Sequence, residues 1–312
     1  MSRIDYWIVN TDHLEEVLLF RDDEDFCTGM NYVAVQAFKS GVFVLEFILM
    51  SNHMHFVLAG TRAQVDCFIN GFKSAFSRYI WKKYGDREVL RRNKVRIERI
   101  DLSDESLEWA LAYVRMNCVA AGICLNPADY RWGTGGCFFQ VMNADEGGSS
   151  GRADGGGPSG RGVSSGRSRT LASLSARERY RLIHTKAVLP GEWVICEEGF
   201  IKPESFIKKV WVERRFRNPE RMEYFLRNSS KAKARLAASE DRKPSFRDQI
   251  ILAAIPDLCH SLFRISAVKE LDEQQLVELM RQVRFRFAAN VKQIARVTGV
   301  TYKRAEELLD RA

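Results

Sequence analysis

The chain has 312 residues, 46% of them hydrophobic and 28% charged, with a formal net charge of +8 at pH 7. This length favours two domains, and the apolar content is sufficient for packed cores. The sequence has no run of about 18 apolar residues and no signal-peptide pattern at its start, so we expect no membrane span and no export. Seven cysteines without a Cys-x-x-Cys pair argue against a disulfide framework or a zinc ribbon and favour a reducing cytoplasm.

The charge is distributed unevenly along the chain. Residues 1–142 contain 16 Lys+Arg and 18 Asp+Glu, a net charge of −2, whereas residues 143–312 contain 32 and 22, a net charge of +10. Within the first part, residues 73–99 contain ten basic and three acidic side chains. A basic stripe in an otherwise acidic domain is typical of a phosphate-binding surface, although a solvated helix face is the alternative.

Apolar periodicity predicts seven elements in the first part of the chain, in the order strand, helix, strand, strand, helix, strand, helix. Their expected bounds are 6–10, 22–39, 42–50, 53–58, 64–83, 94–100 and 106–121. This order predicts an α+β, ferredoxin-like sandwich, with an antiparallel sheet and helices on one of its faces.

Two histidines lie on the predicted strand 53–58. Side chains alternate across a strand, so His53 and His55 point to one face while Met54 and Phe56 point to the other. Two imidazoles two residues apart on a rigid strand can converge on one metal ion. The alternative is that they are ordinary core histidines.

The predicted helix 106–121 presents a tyrosine and an amide four residues apart. Tyr113 and Asn117 therefore lie on one flank of this helix, beside an apolar stripe at helical spacing. A tyrosine at such a position is either a packed helix residue or a nucleophile, and its neighbours in the fold decide between the two.

Together these motifs resemble a known family. His-Met-His after Ser51-Asn52, followed by Tyr-x-x-x-Asn, resembles the HUH motif of single-tyrosine transposases. The segment 127–132, PADYRW, resembles the tail that closes this domain in the branch of REP-associated tyrosine transposases. Cys118 stands where the family has proline, and the resemblance covers about residues 1–140.

The resemblance implies the HUH endonuclease fold and a catalytic domain over residues 1–142. His53, His55 and Asn117 would bind Mg²⁺ or Mn²⁺. Tyr113 would attack a DNA phosphate, leaving a covalent 5′-phosphotyrosine and a free 3′-OH. The implied activity is that of a transposase, a single-stranded DNA endonuclease that nicks and rejoins hairpin-containing strands. Two alternatives stay open: a catalytically silent, palindrome-binding regulator, and a metal-dependent hydrolase that uses water.

Basic residues of the stripe 73–99 are expected to contact DNA phosphates. They are Lys73, Arg78, Lys82, Lys83, Arg91, Arg92, Lys94 and Arg96. DNA is therefore the expected partner, and a homodimer is left open.

The remainder of the chain predicts a linker and a second domain. Residues 143–169 are rich in Gly and Ser, which is typical of a flexible linker. Residues 170–312 predict a basic, all-helical domain that binds DNA, including duplex DNA. Its last segment, 291–309, fits a helix-turn-helix with Gly299 in the turn and with Lys303 and Arg304 where base contacts are made. An ordinary helical hairpin is the alternative.

Overall fold

A computed structural model describes residues 4–11, 17–86, 90, 94–102, 104–139, 169–230 and 246–310. The predicted linker 143–169 lies outside the described residues except for Arg169, as do Arg91 and Arg92 of the predicted DNA-binding set.

The predicted order of elements in the first part is confirmed. The elements are β1 (Asp5–Thr11), α1 (Asp23–Ser40), β2 (Phe43–Met50), β3 (His53–Gly60), α2 (Arg62–Tyr84), β4 (Val95–Ile100), α3 (Ser106–Arg115) and α4 (Asn117–Ala120). The single helix predicted over 106–121 is instead interrupted at Met116, which separates α3 from α4.

Local sequence signals explain where α1 and α2 begin and end. Asp22 caps α1 by accepting a hydrogen bond from the Asp25 amide, and Gly41 ends the helix with a φ of 68°. Thr61 begins α2 with a capping box, and Gly85 ends it with a φ of 75°. Caps of this kind satisfy backbone groups that have no partner inside the helix, and glycine reaches positive φ without strain.

The four strands form an antiparallel sheet in the order β2-β3-β1-β4. In this register His55 lies opposite Asn10, and Asn10 lies opposite Arg96 on the far side of β1. Directly opposite residues of antiparallel strands project to the same face. His55, Asn10 and Arg96 therefore share one face, which we name the histidine face.

The opposite face, which we name the phenylalanine face, carries Phe47 and Phe56, which are opposite each other across β2 and β3. Helix α2 packs there, with the ring centroids of Phe56 and Phe68 5.3 Å apart. Helix α3 packs on the histidine face, where Tyr113 contacts His55. The α+β class is confirmed, but the prediction of helices on one face is wrong. Every residue of β3 is buried, so both faces of this strand need a covering layer.

Within residues 169–230 and 246–310, the regular elements are helices and two short strands. These elements are β5 (Arg169–Thr170), α5 (Ala176–Ile183), β6 (Val194–Ile195), α6 (Lys209–Phe216), α7 (Pro219–Asn228), α8 (Asp248–Phe263), α9 (Glu273–Phe287), α10 (Val291–Thr298) and α11 (Tyr302–Asp310). Strands β5 and β6 pair antiparallel, so the second part is not all-helical, and β6 lies within residues 193–196, where the sequence also offers a short strand.

The described residues form two main apolar cores. The division between these cores does not coincide with the Gly/Ser-rich segment 143–169 that composition marks as a linker. Phe216, Met222 and Phe225 belong to the same core as the central sheet. A separate core is formed by α8 to α11. The predicted domain boundaries stay a prediction, while the packing joins residues 169–230 to the first part of the chain.

One described segment, Asp248–Glu270, is long and apolar enough to pass a length-and-composition test for a membrane span. Core helices of water-soluble domains pass the same test. The regular helix α8 within it has only 16 residues, about 24 Å at 1.5 Å per residue, which is less than the roughly 30 Å of a bilayer core.

Candidate active site

The two histidines of β3 are buried side by side on the histidine face. Their ring centroids are 4.8 Å apart, and their planes are nearly perpendicular. The Nδ1 atom of His53 lies 2.8 Å from Asn52 Oδ1, and that of His55 lies 2.6 Å from Asn10 Oδ1. An amide oxygen only accepts, so each imidazole donates from Nδ1. The lone pair of each neutral ring is therefore on Nε2, and both Nε2 atoms are buried.

Tyr113 on α3 reaches the same place. Its ring centroid is 5.7 Å from that of His55, again with perpendicular planes. Burial raises the pKa of the Tyr113 phenol, the charge of Arg96 opposes this, and Glu98 adds to it. The charge of the Arg96 guanidinium, on β4, therefore lowers the pKa of the phenol. The structure thus brings His53, His55 and Tyr113 together, as the sequence predicts.

Asn117 is buried one helical turn after Tyr113. Its Nδ2 donates hydrogen bonds to the carbonyl oxygens of Tyr113 at 2.9 Å and Val114 at 3.2 Å. Because the amide nitrogen is used in this way, Oδ1 is the atom that Asn117 offers as a ligand. The interruption at Met116 makes Asn117 the first residue of α4.

The chemistry of these side chains fits a divalent cation. An Nδ1–H bond to an amide oxygen orients a histidine so that Nε2 faces its ligand, which is a common outer-shell arrangement in metal sites. No group of three or more His, Cys, Asp or Glu side chains with metal-site geometry occurs within the described ranges. The set predicted here contains two imidazoles and one amide, so it is not a cluster of that type.

A buried ion pair beside Tyr113 was not predicted. Arg115 Nη2 lies 2.5 Å and Nε 3.3 Å from the carboxylate of Glu46 on β2, and Thr134 also donates to this carboxylate. Burial raises the pKa of Glu46, against the attraction and hydrogen bonds of Arg115 and Thr134. The Arg115–Glu46 ion pair joins α3 to strand β2. Because Arg115 is two residues after Tyr113, the pair holds this part of α3 against the sheet. The sequence signal is Glu46, the one charged residue in the apolar run 42–50.

Asn10 was also missed, because its relation to His55 depends on the pairing of β1 with β3. Nothing in the run 6–10 distinguishes this asparagine from an ordinary strand-end residue. Asn52 is next to His53 in sequence and is the easier of the two outer-shell partners to find.

The predicted DNA-binding residues fall into different surroundings. Arg78, Lys82, Lys94 and Arg96 are exposed, and Lys73 is partly buried. At the start of α11, Lys303 is exposed. Arg304 pairs with Glu273, and it also pairs with Glu307, at 3.7 Å.

Lys83 has a different environment from the one predicted. Its Nζ lies 2.7 Å from a carboxylate oxygen of Asp22 and 2.9 Å from oxygens of Glu24 and Asp25. It also donates to the hydroxyl of Tyr79 at 3.1 Å. The three donors of this ammonium are directed at neighbouring acids, and this geometry argues against a phosphate contact.

Comparison of the chain with protein-family models, with curated proteins and with solved structures finds no match in any of the three. The functional argument is therefore carried by the side chains of this chain and by their geometry.

Proposed function

We propose that the protein is a metal-dependent tyrosine transposase that nicks and rejoins single-stranded, hairpin-containing DNA. The observation that carries the proposal is the convergence of Tyr113 on the imidazole pair, with centroids 5.7 Å apart for Tyr113 and His55 and 4.8 Å apart for the histidines. The three residues come from sequence positions up to 60 apart. Apolar packing by itself does not explain why a phenol lies beside two imidazoles whose Nδ1 atoms are bonded to asparagines.

The proposal includes the finer identity of the fold. The four-stranded antiparallel sheet, with the histidines on a central strand and the tyrosine on a helix over that face, supports an HUH endonuclease fold. Helices α10 and α11 are proposed as a helix-turn-helix. In support, Gly299 turns the chain with a φ of 74°, and Thr301 Oγ1 accepts a hydrogen bond from the Arg304 amide at the start of α11.

The chemistry at Tyr113 is a transesterification. Its Oη forms a bond to phosphorus while the bond from phosphorus to the 3′-oxygen breaks, and the strand's 5′-phosphate stays on the tyrosine. The phenol loses its proton, and the departing 3′-oxygen gains one to become a hydroxyl. Because the phosphodiester is exchanged for another ester, the reverse reaction rejoins strands without an external energy source.

The neighbouring side chains prepare this reaction. His53, His55 and Asn117 would hold the cation, and Asn10 and Asn52 keep the two imidazoles in the orientation that binding requires. A divalent ion bound there supplies Lewis-acid polarisation of the scissile phosphate. Arg96 places positive charge near the phenol, where negative charge accumulates during attack.

The direct test is a search for the covalent intermediate. The full chain is incubated with a pool of single-stranded hairpin oligonucleotides and Mn²⁺, separated on a denaturing gel and digested for peptide mapping. The expected result is a protein–DNA adduct whose phosphorylated peptide contains Tyr113. Binding without an adduct would favour the silent palindrome binder, and cleavage without an adduct would favour the hydrolase that uses water.

A further inference from the structure

A second basic surface lies beyond the phenylalanine face and is built from both parts of the chain. Asn31 on α1 is buried, and its Nδ2 donates to the carbonyls of Leu182 at 3.0 Å and Gly199 at 3.1 Å. Its Oδ1 accepts from the Ile201 amide at 2.9 Å. This buried amide fixes the end of α5 against α1, next to α2.

The docking of α5 places its polar residues beside the exposed cations of α2. The ring of His184 lies 6.2 Å from that of Tyr79, centroid to centroid. Burial and then the charge of Lys82 lower the pKa of His184, and the charge of Glu24 opposes them. Burial raises the pKa of Tyr32, with Arg78 opposing and Tyr180 supporting the effect.

Helix α5 and the loop after it line an open pocket of about 300 Å³. Leu171, Ile183 and Leu189 contribute its buried apolar wall, and Arg179, Tyr180 and Lys186 contribute its polar rim. Small-molecule sites have volumes of about 300–1,000 Å³, so this pocket is of a size for one planar ring system and not for a large ligand.

Within the described ranges, the four cations of this surface are not held in ion pairs, and Glu24 is the acid whose charge acts on its imidazole, His184. Arg78, Lys82, Arg179 and Lys186 form no ion pair with any carboxylate among the described residues. Tyr180 is 53% exposed and lines the pocket. Arg78, Lys82 and Lys186 are exposed and Arg179 is partly exposed. Accessible cations together with an accessible aromatic ring are the features by which proteins hold single-stranded nucleic acid, through phosphates and stacked bases.

We propose that this surface binds a single-stranded DNA segment, with phosphates on Arg78, Lys82, Arg179 and Lys186 and one base in the pocket beside Tyr180. It is distinct from the Tyr113 site, because the sheet separates the two. The choice of DNA over RNA rests on the proposed function, whereas the single-stranded character follows from the pocket and the exposed ring. The surface would hold a strand away from the cleavage site, and both parts of the chain would contribute to it.

The test measures binding in the absence of cleavage. The full chain is titrated into fluorescein-labelled oligothymidine with EDTA present, and fluorescence anisotropy is followed at several salt concentrations. Tyr180→Ala should weaken binding by about 5- to 160-fold, the range expected for one stacked base, with an unchanged salt dependence. Arg179→Ala/Lys186→Ala should make the slope of log affinity against log salt shallower by about 1.4, since each phosphate contact contributes roughly 0.7 for single strands.

Matched variants control for folding and for surface changes elsewhere. Tyr180→Phe keeps the ring and should bind as the parent protein does. Tyr224→Ala removes a tyrosine of similar exposure, 56%, on α7 and should leave affinity unchanged. Unchanged affinity in Tyr180→Ala together with an unchanged salt slope in the double variant would overturn the proposal, and equal affinity for oligouridine would overturn its DNA part.

The same preparations are assayed for the covalent adduct with Mn²⁺. Binding that does not depend on Tyr180, in a protein that still forms the adduct, contradicts only the second surface. Tyr180-dependent binding in a protein that never forms the adduct contradicts only the proposed function.

Discussion

Tyr113 and Tyr79 are both partly buried tyrosines on helices that pack against the central sheet, one on each face. Burial raises the pKa of both phenols. Their neighbours differ in charge. The Tyr79 hydroxyl donates to Asp25 at 2.8 Å and accepts from Lys83, whereas Tyr113 lies beside His55 and within the opposing fields of Arg96 and Glu98.

This difference separates a structural tyrosine from a candidate nucleophile. Around Tyr79, the acids Asp22 and Asp25 would repel a DNA phosphate. Lys83 pairs with these two acids, so its charge is not available to a ligand. Around Tyr113 lie two imidazoles directed by asparagines and the charge of Arg96, which favours an approaching phosphate, while the single acid Glu98 opposes it. A tyrosine on a helix carries little information by itself, and the sign of the charge around it decides its role.

The largest expected effect comes from exchanging the two phenols for phenylalanine. Tyr113→Phe should reduce nicking by on the order of 10⁴-fold or more, because it removes the attacking oxygen. Tyr79→Phe should keep nicking but lower the free energy of unfolding by about 1–3 kcal/mol, since buried Asp25 loses a hydrogen-bond donor. Adduct yield on denaturing gels and urea denaturation measure the two effects. Equal nicking by both variants would remove the distinction between the sites.

The next largest effect is expected at Lys83. Lys83→Met leaves the fully buried Asp25 without its cation, which should destabilise the fold by about 3–5 kcal/mol. Lys82→Met changes an exposed neighbour and should alter stability by no more than about 0.5 kcal/mol while weakening DNA binding. Urea denaturation and filter binding on both variants give the comparison. A Lys83 variant that is as stable as the parent but poor in DNA binding would restore the phosphate role that the sequence predicts.

A smaller effect is expected from the asparagines behind the histidines. Asn10→Ala and Asn52→Ala should each lower Mn²⁺ affinity by about 10- to 100-fold, because the imidazoles lose the bonds that orient them. Asn126→Ala removes a surface cap at the start of a short helical turn and serves as the control. Isothermal titration calorimetry decides the matter: Mn²⁺ affinities equal to that of the control would argue against an outer-shell role.

The smallest effect is a dependence of stability on pH that originates in the Tyr79 cluster. Burial alone would raise the pKa of Asp22, but hydrogen bonds from Lys83, Tyr84 and the Asp25 amide, together with the charge of Lys83, lower it on balance. The contribution of Asp22 is therefore present above its unfolded pKa of about 3.9 and is lost as the pH falls through the folded value. The urea midpoint should decrease less between pH 6 and pH 3 in Asp22→Asn than in the parent. Parallel curves for the two proteins would contradict this assignment.

Much of the local structure followed from the sequence, because its causes are local. Apolar periodicity predicted the order of strands and helices, and Asp22, Gly41 and Gly85 marked helix ends where the structure has them. Alternation along a strand predicted that His53 and His55 share a face. Their convergence with Tyr113 needed the resemblance as well as the pattern.

Tertiary structure decided what depends on contacts between distant residues. Asn10 meets His55 only because β1 pairs with β3, and Glu46 meets Arg115 across 69 residues of chain. The basic stripe predicted Lys83 as a phosphate ligand, but composition cannot say which carboxylates a lysine will reach when helices pack. Periodicity likewise cannot say that a sheet buried on both faces will take its second layer from residues 106–115 and 209–228. These outcomes follow from the packing of the whole chain, in which burial of apolar surface and pairing of charges are settled between elements and not within them.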